Sequence, residues 1–332
     1  MKVNKSSDMT AAIEIPNTRS ATFVQRFKNW ITSGSRVKES ILRIGIYILL
    51  IDLAFIFLFP FLYMVVTSLK SNADLNDLTV NWIPKSLKWE NYYIAFDLLS
   101  YFDYFKNSFI ITFFATLGHA ISCSFIGYGF ARYKFPLKNV LFLLVIVSFI
   151  VPVQTLIVPY YLIYTNLGWR DTFLPLIVPT FFGFGLKGGL YIFLFRQYYL
   201  GLPKELEEAA KIDGCGFLRT YLEIVMPIAS SIFLVTCVLS IVWHWNDYYE
   251  PAIYIDKGSM AVLPSKINYV VSLVNAPPEE LFDALELVEG EDTLNDAVVM
   301  AGTFLIILPV LIVFGFLQNK FIQGIESSGI KG

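Results

Sequence analysis

The sequence is short of charged residues. Asp, Glu, Lys and Arg make up 16% of its 332 residues, hydrophobic residues make up 56%, and the mean hydropathy is +0.59. A soluble domain carries roughly 25% charged residues. One core of this size cannot hide so much apolar surface from water, so the shortage of charge excludes an ordinary soluble domain and indicates a membrane protein.

Several kinds of chemical site are also missing. The three cysteines form no CxxC pair, so the sequence offers neither a disulfide framework nor a cysteine metal site. No Gly-x-x-x-x-Gly-Lys-Ser/Thr occurs, so the chain has no P-loop with which to hydrolyse ATP. No nucleophile–base or metal-ligand cluster stands out. We therefore expect no enzyme activity, no bound metal or cofactor, and no nucleic-acid partner.

Six apolar segments are long enough to cross a bilayer, which takes about 20 residues. We predict an all-α membrane domain over 44–332 with six transmembrane helices, after a tail of 1–43. Residues 21–40 of that tail have the pattern of a basic amphipathic helix lying on the membrane, although an ordinary disordered tail is the alternative. The predicted spans are 44–68, 108–131, one within 139–169, 172–195, 224–246 and 297–319.

The distribution of positive charge predicts the orientation. The tail 1–43 holds eight Lys and Arg residues, and the short loop 132–138 adds three with no acid. The loop 249–296 holds ten acids and only two lysines. We therefore expect both termini in the cytoplasm and the acidic loop 249–296 outside.

The loop between the fourth and fifth spans carries the signals of a short helix. Pro203 suits a first helical position, and Gly214 suits the left-handed residue that closes a helix. Leu206, Ala209, Ala210 and Asp213 follow the i, i+3, i+4, i+7 spacing of one helical face. The two alanines would let this face enter a groove of another protein closely; a plain surface helix is the alternative.

A longer pattern in the same loop resembles the EAA loop of bacterial ABC-importer permeases. That pattern is Glu-Ala-Ala, three residues, Gly, nine residues, Ile, one residue, Leu-Pro. Every spacing holds here, and Met226 in place of Leu is the one departure. The matching residues are Glu208, Ala209, Ala210, Gly214, Ile224 and Pro227.

Other segments resemble the carbohydrate permeases of the maltose-importer type. They are Thr67-Ser-Leu-Lys70, Pro152-Val-Gln154 and Phe193-Leu-Phe-Arg-Gln197, and the Gly-rich ending 321–332 is similar to that of the smaller of the two permeases. The acidic stretch 277–296 is longer than this resemblance leads us to expect, and it has no family role that we can assign.

The resemblance implies the ABC importer type I permease fold in a bacterial inner membrane. It implies a second homologous permease that completes the pore, two ATPases that bind the ATP, and an external sugar-binding protein. The loop 197–227 would dock an ATPase through Glu208, Ala209, Ala210, Asp213, Gly214, Ile224 and Pro227. The alternatives are an importer of a non-sugar solute, such as a peptide or phosphate ester, and a carrier independent of ATP.

Two charged residues lie inside predicted spans, where charge is costly and usually functional. Asp52 and Lys187 lie nine residues outward of Arg43 and Arg196, or ~13.5 Å in each case. Equal depth permits an ion pair between them; the alternative is that each faces a water-filled cavity. At the outer end of the fifth span, Asn246 and Asp247 could bind sugar hydroxyls beside a group of aromatic residues, which an interfacial belt would also explain.

Overall fold

The computed structural model describes residues 20–77, 79–80, 82–276 and 294–329, with side chains from residue 39 to 322 of these. The described chain is helical and contains no strand. This agrees with the predicted all-α class. The first part of the predicted tail, residues 1–19, and most of the acidic stretch, residues 277–293, lie outside the described residues.

The α-helices are numbered here in chain order. They are α1 Ser20–Ser68, α2 Asn72–Asn76, α3 Glu90–Leu98, α4 Tyr101–Arg132, α5 Lys138–Ile150, α6 Val153–Asn166, α7 Leu174–Ile177, α8 Gly188–Gly201, α9 Glu205–Ile212, α10 Phe217–Thr220, α11 Met226–Ile228, α12 Ser230–Asn246, α13 Tyr249–Tyr254, α14 Lys266–Val274 and α15 Asp296–Gly329. Short 3₁₀-helices cover Val178–Phe182, Gly258–Met260 and Leu263–Ser265, and a π-helical turn covers Tyr221–Val225.

Three described helices are long and apolar enough to cross a membrane without a break. They are Glu39–Ser68, Tyr101–Arg132 and Asp296–Ile322, and they correspond to the first, second and sixth predicted spans. Two bent pairs bring the number to five if each pair is one span: α5 and α6 meet at 101°, and Phe217–Ile228 meets α12 at 77°. The described chain thus supports three to five spans, and six remains a prediction.

The fourth predicted span, 172–195, is not one continuous helix. The chain forms α7 and the tighter helix Val178–Phe182, then leaves helical geometry until α8 begins. Gly183 and Gly185 have φ of +72° and +95°, a left-handed region open to glycine. Pro179 also lacks the N–H that a helix interior needs. Proline and glycine together therefore divide this segment.

The chain divides into two compact units, residues 1–62 and 63–332. In the first unit the side chains of α1 from residue 39 are almost all exposed, including Ile51 at 69% and Phe57 at 79%. An apolar surface of this extent is typical of a helix that meets lipid or another subunit.

The second unit is built around α4, which packs against α8 and α12. Close approach depends on Gly127, where an added Cβ would come within 2.7 Å of Phe195 Cβ in α8. Tyr128, Tyr191 and Tyr199 are almost fully buried at this interface. The central position of α4 matters because both candidate sites contact this helix.

Candidate functional site

The first candidate site is the segment from residue 202 to 228, called the arm below. Its helix α9 begins at Glu205, two residues after the predicted first position Pro203, and ends before Gly214, whose φ is +78°. The N–H of Gly214 donates to the carbonyl of Lys211 at 3.1 Å, and the N–H of Cys215 donates to that of Ala210 at 2.9 Å. These two bonds form the glycine-closed helix end that the sequence predicts.

The two faces of α9 differ sharply in exposure. Glu207 and Ala210 are the buried residues of α9. Glu208, Ala209, Asp213 and Gly214 are exposed, as is Leu206 at 40%. The prediction that Leu206, Ala209, Ala210 and Asp213 share one free face is therefore wrong for Ala210, which packs inward at 3% exposure because it lies one turn from buried Glu207.

The outer face of α9 also carries an apolar side chain that the sequence analysis did not single out. Ile212 is 86% exposed at the last helical position. Beside it lie small Ala209 and acidic Glu208, both exposed. A single exposed isoleucine is ordinary on a protein surface. Its place on a short helix with a low profile makes it a suitable docking contact.

The buried face of α9 is held by one charged and one polar side chain of α4. Arg132 Nε lies 2.6 Å from Glu207 Oε1, with side-chain exposures of 5% and 10%. The Tyr128 hydroxyl donates to Glu207 Oε2 at 3.1 Å, and Arg132 Nη2 donates to the carbonyl of Leu202 at 2.8 Å. Sequence reasoning missed this cluster because it treated Arg132 only as one charge of a basic loop.

The rest of the arm leads back towards the membrane domain. Ile224 lies half-buried in the π-helical turn, and exposed Pro227 lies in α11. The chain then bends by 77° into α12. Pro227 thus lies at a corner between the arm and α12, whereas Glu208 to Gly214 lie on its outer part.

The second candidate site is a cavity of about 530 Å³ in the second unit, called the cavity below. This volume is within the range that small-molecule sites occupy. Its walls come from the N-terminal half of α4, the α5–α6 bend, the break before α8, and the α12–α13 junction. Polar and aromatic side chains on these walls include Gln154, Tyr160, Tyr164, Lys187, Trp243, His244, Asn246, Asp247, Tyr249 and Glu250.

Three residues predicted for a translocation path, Lys187, Asn246 and Asp247, line this cavity together. Lys187 Nζ lies 4.4 Å from the ring centroid of Trp243, a cation–π contact. Lys187 has a φ of +65° at the start of α8. A lysine there is strained by about 1–2 kcal/mol, and such outliers cluster at functional sites.

Asp247 and Asn246 differ in how their side chains are held. Asp247 Oδ1 accepts hydrogen bonds from the backbone N–H groups of Tyr249 at 3.0 Å and Glu250 at 3.3 Å, so it caps the start of α13. Asn246 Nδ2 donates to the carbonyl of Val242 at 2.8 Å, one turn earlier in α12. Asn246 is exposed and lines the cavity.

His244 is a cavity residue that the sequence analysis missed. Its Nδ1 atom is 2.9 Å from the carbonyl and 3.2 Å from the hydroxyl of Ser240. Its Nε2 atom is buried and has no hydrogen-bond partner among the described residues. Buried polar atoms almost always have partners. The Nε2 atom is therefore free to bind a hydroxyl group or a water molecule that enters the cavity.

Glu250 is the second residue of the predicted outer loop 249–296 and lines the same cavity. Burial raises the pKa of its carboxyl to about 8, and the negative charge of Asp247 adds to the rise. The carboxyl is therefore mostly protonated at neutral pH, in which state it donates as well as accepts hydrogen bonds.

The last predicted site residue, Asp52, lies on the exposed part of α1 in the first unit. Its pairing with Lys187 stays a prediction. The cavity lining itself comes entirely from the second unit.

Comparison with known proteins identifies the family. Residues 123–327 match the family described as "Binding-protein-dependent transport system inner membrane component". The chain belongs to this family. It is thus an integral inner-membrane component of a binding-protein-dependent transport system. The matched region contains the whole arm and most of the cavity wall.

Relatives of this family member include transport permeases with carbohydrate cargo in their names. The arabinooligosaccharides transport system permease protein AraQ of Bacillus subtilis (strain 168) is 30% identical over 88% of this chain and 97% of its own length. The probable starch degradation products transport system permease protein AmyC of Thermoanaerobacterium thermosulfurigenes is 30% identical over 85% and 94%. These relatives are transport components rather than enzymes.

A solved structure supports the fold. A chain of a bacterial ABC transporter involved in the import of the acidic polysaccharide alginate superposes with a TM-score of 0.70. The two chains are 20% identical, and the match covers 86% of this chain and 98% of the other. This family member therefore has the helical fold of an ABC importer permease.

Proposed function

We propose that this chain is a permease subunit of an ATP-driven, binding-protein-dependent sugar or oligosaccharide importer. It forms half of the translocation pore with a second, homologous permease. Two cytoplasmic ATPases bind and hydrolyse the ATP, and an external binding protein delivers the sugar. The chain has both termini in the cytoplasm, as the Lys and Arg residues of 1–43 and 132–138 favour.

The observation that carries this proposal is the exposed face of α9 in a member of this family. The helix is closed at Gly214, small at Ala209 and apolar at Ile212, which is 86% exposed. A rigid helix with one exposed apolar anchor and few bulky neighbours suits insertion into a groove. Glu208 and Asp213, both exposed, supply charge for pairing with basic groups of an ATPase.

The cavity supports the pore half of the proposal and narrows the cargo. Its acidic and basic lining residues are one lysine and two carboxyls, Lys187, Asp247 and Glu250, of which Glu250 is mostly protonated at neutral pH. The lysine lies against the Trp243 ring. This wall offers little positive charge to a phosphate ester or a uronic acid, whereas its amides, tyrosines and His244 suit hydroxyl groups. We therefore propose an uncharged sugar as the cargo.

The test is uptake by the complete transporter, reconstituted in vesicles with the second permease, the ATPases and the binding protein. We expect accumulation of a neutral oligosaccharide only with hydrolysable ATP. We expect at least tenfold less accumulation of an oligosaccharide of equal length that carries a uronic acid. A non-hydrolysable ATP analogue is the matched control.

Three outcomes would contradict parts of this proposal. Uptake that continues without ATP would make the chain a carrier of another kind. Preferential uptake of the acidic oligosaccharide would overturn the assignment of neutral cargo. Failure of the purified ATPases to bind the complex would overturn docking through the arm.

A further inference from the structure

The ion pair between Arg132 and Glu207 has an unusual position. Arg132 is the last residue of α4, and Glu207 belongs to α9. The two charged atoms, Nε and Oε1, are 2.6 Å apart and both side chains are at least nine-tenths buried. The pair therefore connects the helix that faces an ATPase with a helix of the membrane domain.

Neighbouring groups make this connection stiff. Tyr128, one turn before Arg132, donates its hydroxyl to the second carboxylate oxygen of Glu207 at 3.1 Å. Arg132 Nη2 holds the carbonyl of Leu202, just before α9, at 2.8 Å. Arg132 thus contacts both the start of the arm and the side chain of its helix. Bonds in several directions resist rotation and sliding better than a single contact would.

The pair ties α9 to α4, while α9 otherwise packs against α10 and the π-helical turn. Glu207 and Ala210 are the buried residues of this eight-residue helix. Alanine contributes one methyl group to packing, so the directional part of the contact comes from Glu207. A force applied to the exposed face of α9 would therefore reach α4 through this carboxylate.

Arg132 belongs to α4, which is the longest unbroken helix among the described helices that line the cavity. α4 runs without interruption from Arg132 back to Ser108 and Ile111, which line the cavity. This distance is about 36 Å at 1.5 Å per residue. Its neighbours bend or break: α5 and α6 meet at 101°, and the segment before α8 is divided. A continuous helix transmits a displacement that a broken one absorbs.

We propose that the Arg132–Glu207 ion pair is the joint through which movement of α9 drives α4 and so reshapes the cavity. Both are positioning residues that touch neither nucleotide nor cargo. This inference rests on the proposed function, because it requires an ATPase that moves α9. The Arg132–Glu207 pair is a mechanical link between α9 and α4 that the exposed face of α9 does not itself supply.

The deciding variant is the double substitution Arg132→Gln with Glu207→Gln. Each single substitution leaves one buried charge without its partner and can impair folding, whereas the double variant leaves none. A purely structural role predicts that the double variant recovers transport. If the ion pair is the joint, the double variant should assemble and hydrolyse ATP, but hydrolysis should no longer drive sugar uptake. The reason is that two neutral amides replace a stiff ionic contact.

The measurement is the number of ATP molecules hydrolysed per sugar taken up by the reconstituted full transporter. We expect this ratio to rise tenfold or more in the double variant, with ATPase capture by the complex unchanged. Arg132→Lys keeps the charge but loses the fork that reaches Leu202, so we expect an intermediate ratio. Lys85→Gln is the matched control, since Lys85 and Asp77 form an exposed ion pair of the same 2.6 Å length.

Each remaining outcome argues against the joint. A wild-type ratio in the double variant would overturn it, while ATP-driven uptake by the wild type would leave the proposed function standing. Loss of ATPase capture by the double variant would show that the ion pair only maintains the shape of the arm. If the wild-type complex itself showed no uptake driven by ATP, the proposed function would fail and the joint with it.

Discussion

The polar and charged groups of the arm and of the cavity differ in their partners. In the arm the buried carboxylate of Glu207 lies against an opposite charge: Oε1 is 2.6 Å from Arg132 Nε, an ion pair without hydrogen-bond geometry, and Oε2 accepts a hydrogen bond from Tyr128. In the cavity Lys187 rests on an aromatic ring, and His244 Nε2 has no partner among the described residues. Matched groups hold a fixed shape, whereas unmatched ones favour a ligand. The contrast agrees with the two proposals, an arm that moves as a body and a cavity that receives cargo.

The largest effect should come from the strained lysine of the cavity. We expect Lys187→Met to lower sugar uptake by tenfold or more, because the cation above Trp243 disappears and the cavity wall loses its positive charge. Binding of the ATPases to the complex should not change. The measurement is uptake by reconstituted vesicles together with ATPase capture.

Asp52→Asn, alone and combined with Lys187→Met, tests whether Lys187 acts in the cavity or forms a buried ion pair with Asp52. If Asp52 and Lys187 pair, each single variant should impair assembly and the double variant should recover much of the loss. If Lys187 acts in the cavity, the double variant should be as defective in uptake as Lys187→Met alone. Recovery in the double variant would contradict the cavity role.

A smaller effect should come from the closing glycine of α9. Gly214 has open space around it, so Gly214→Val meets no neighbour and suffers only from the left-handed backbone. That strain is about 1–2 kcal/mol, roughly a five- to thirtyfold shift in the folded arm. We expect ATPase capture and uptake to fall together, while insertion into the membrane stays intact.

Gly216→Val is the matched control for this variant. Gly216 is in the same loop, also has open space around it, and has an ordinary φ of −72°. We expect near-normal ATPase capture. Equal loss in the two variants would show that bulk, rather than backbone conformation, disturbs the arm.

In the arm, features set by local sequence were predictable and features set by long-range packing were not. The limits of α9 depend on local chemistry: the closure at Gly214 is confirmed, whereas Pro203 lies two residues before the first helical residue, Glu205, rather than at it. The joint depends on Arg132 and Glu207, which are distant in sequence and meet only because α4 packs beside the arm. No local pattern contains that information. The inward position of Ala210 was missed for the same reason, since it depends on where Glu207 finds its partner.

The cavity shows the same division. The sequence marked Lys187 because charge is rare in apolar segments, and Asn246 and Asp247 because they follow a helix rich in aromatic residues. These residues do line one cavity. The break before α8 was not expected, because glycines and prolines are tolerated in membrane helices and do not alone show where a helix stops. His244 gave no signal in sequence, where a lone histidine in an apolar helix reads as a packed core residue.

The smallest predicted effect concerns Glu250 and pH. The pKa of its carboxyl is raised to about 8 in the folded protein, above the ordinary 4.5. Between these values the folded protein holds a proton that the unfolded chain releases, so this group lowers stability as pH rises through the window, and the loss is complete above pH 8. Glu250→Gln removes the penalty. We expect its melting temperature to match that of the wild type near pH 5 and to exceed it by a few degrees at pH 9. Melting of the purified transporter at both pH values measures the difference, and a gain independent of pH would show that the carboxyl is not held in its neutral form by the cavity.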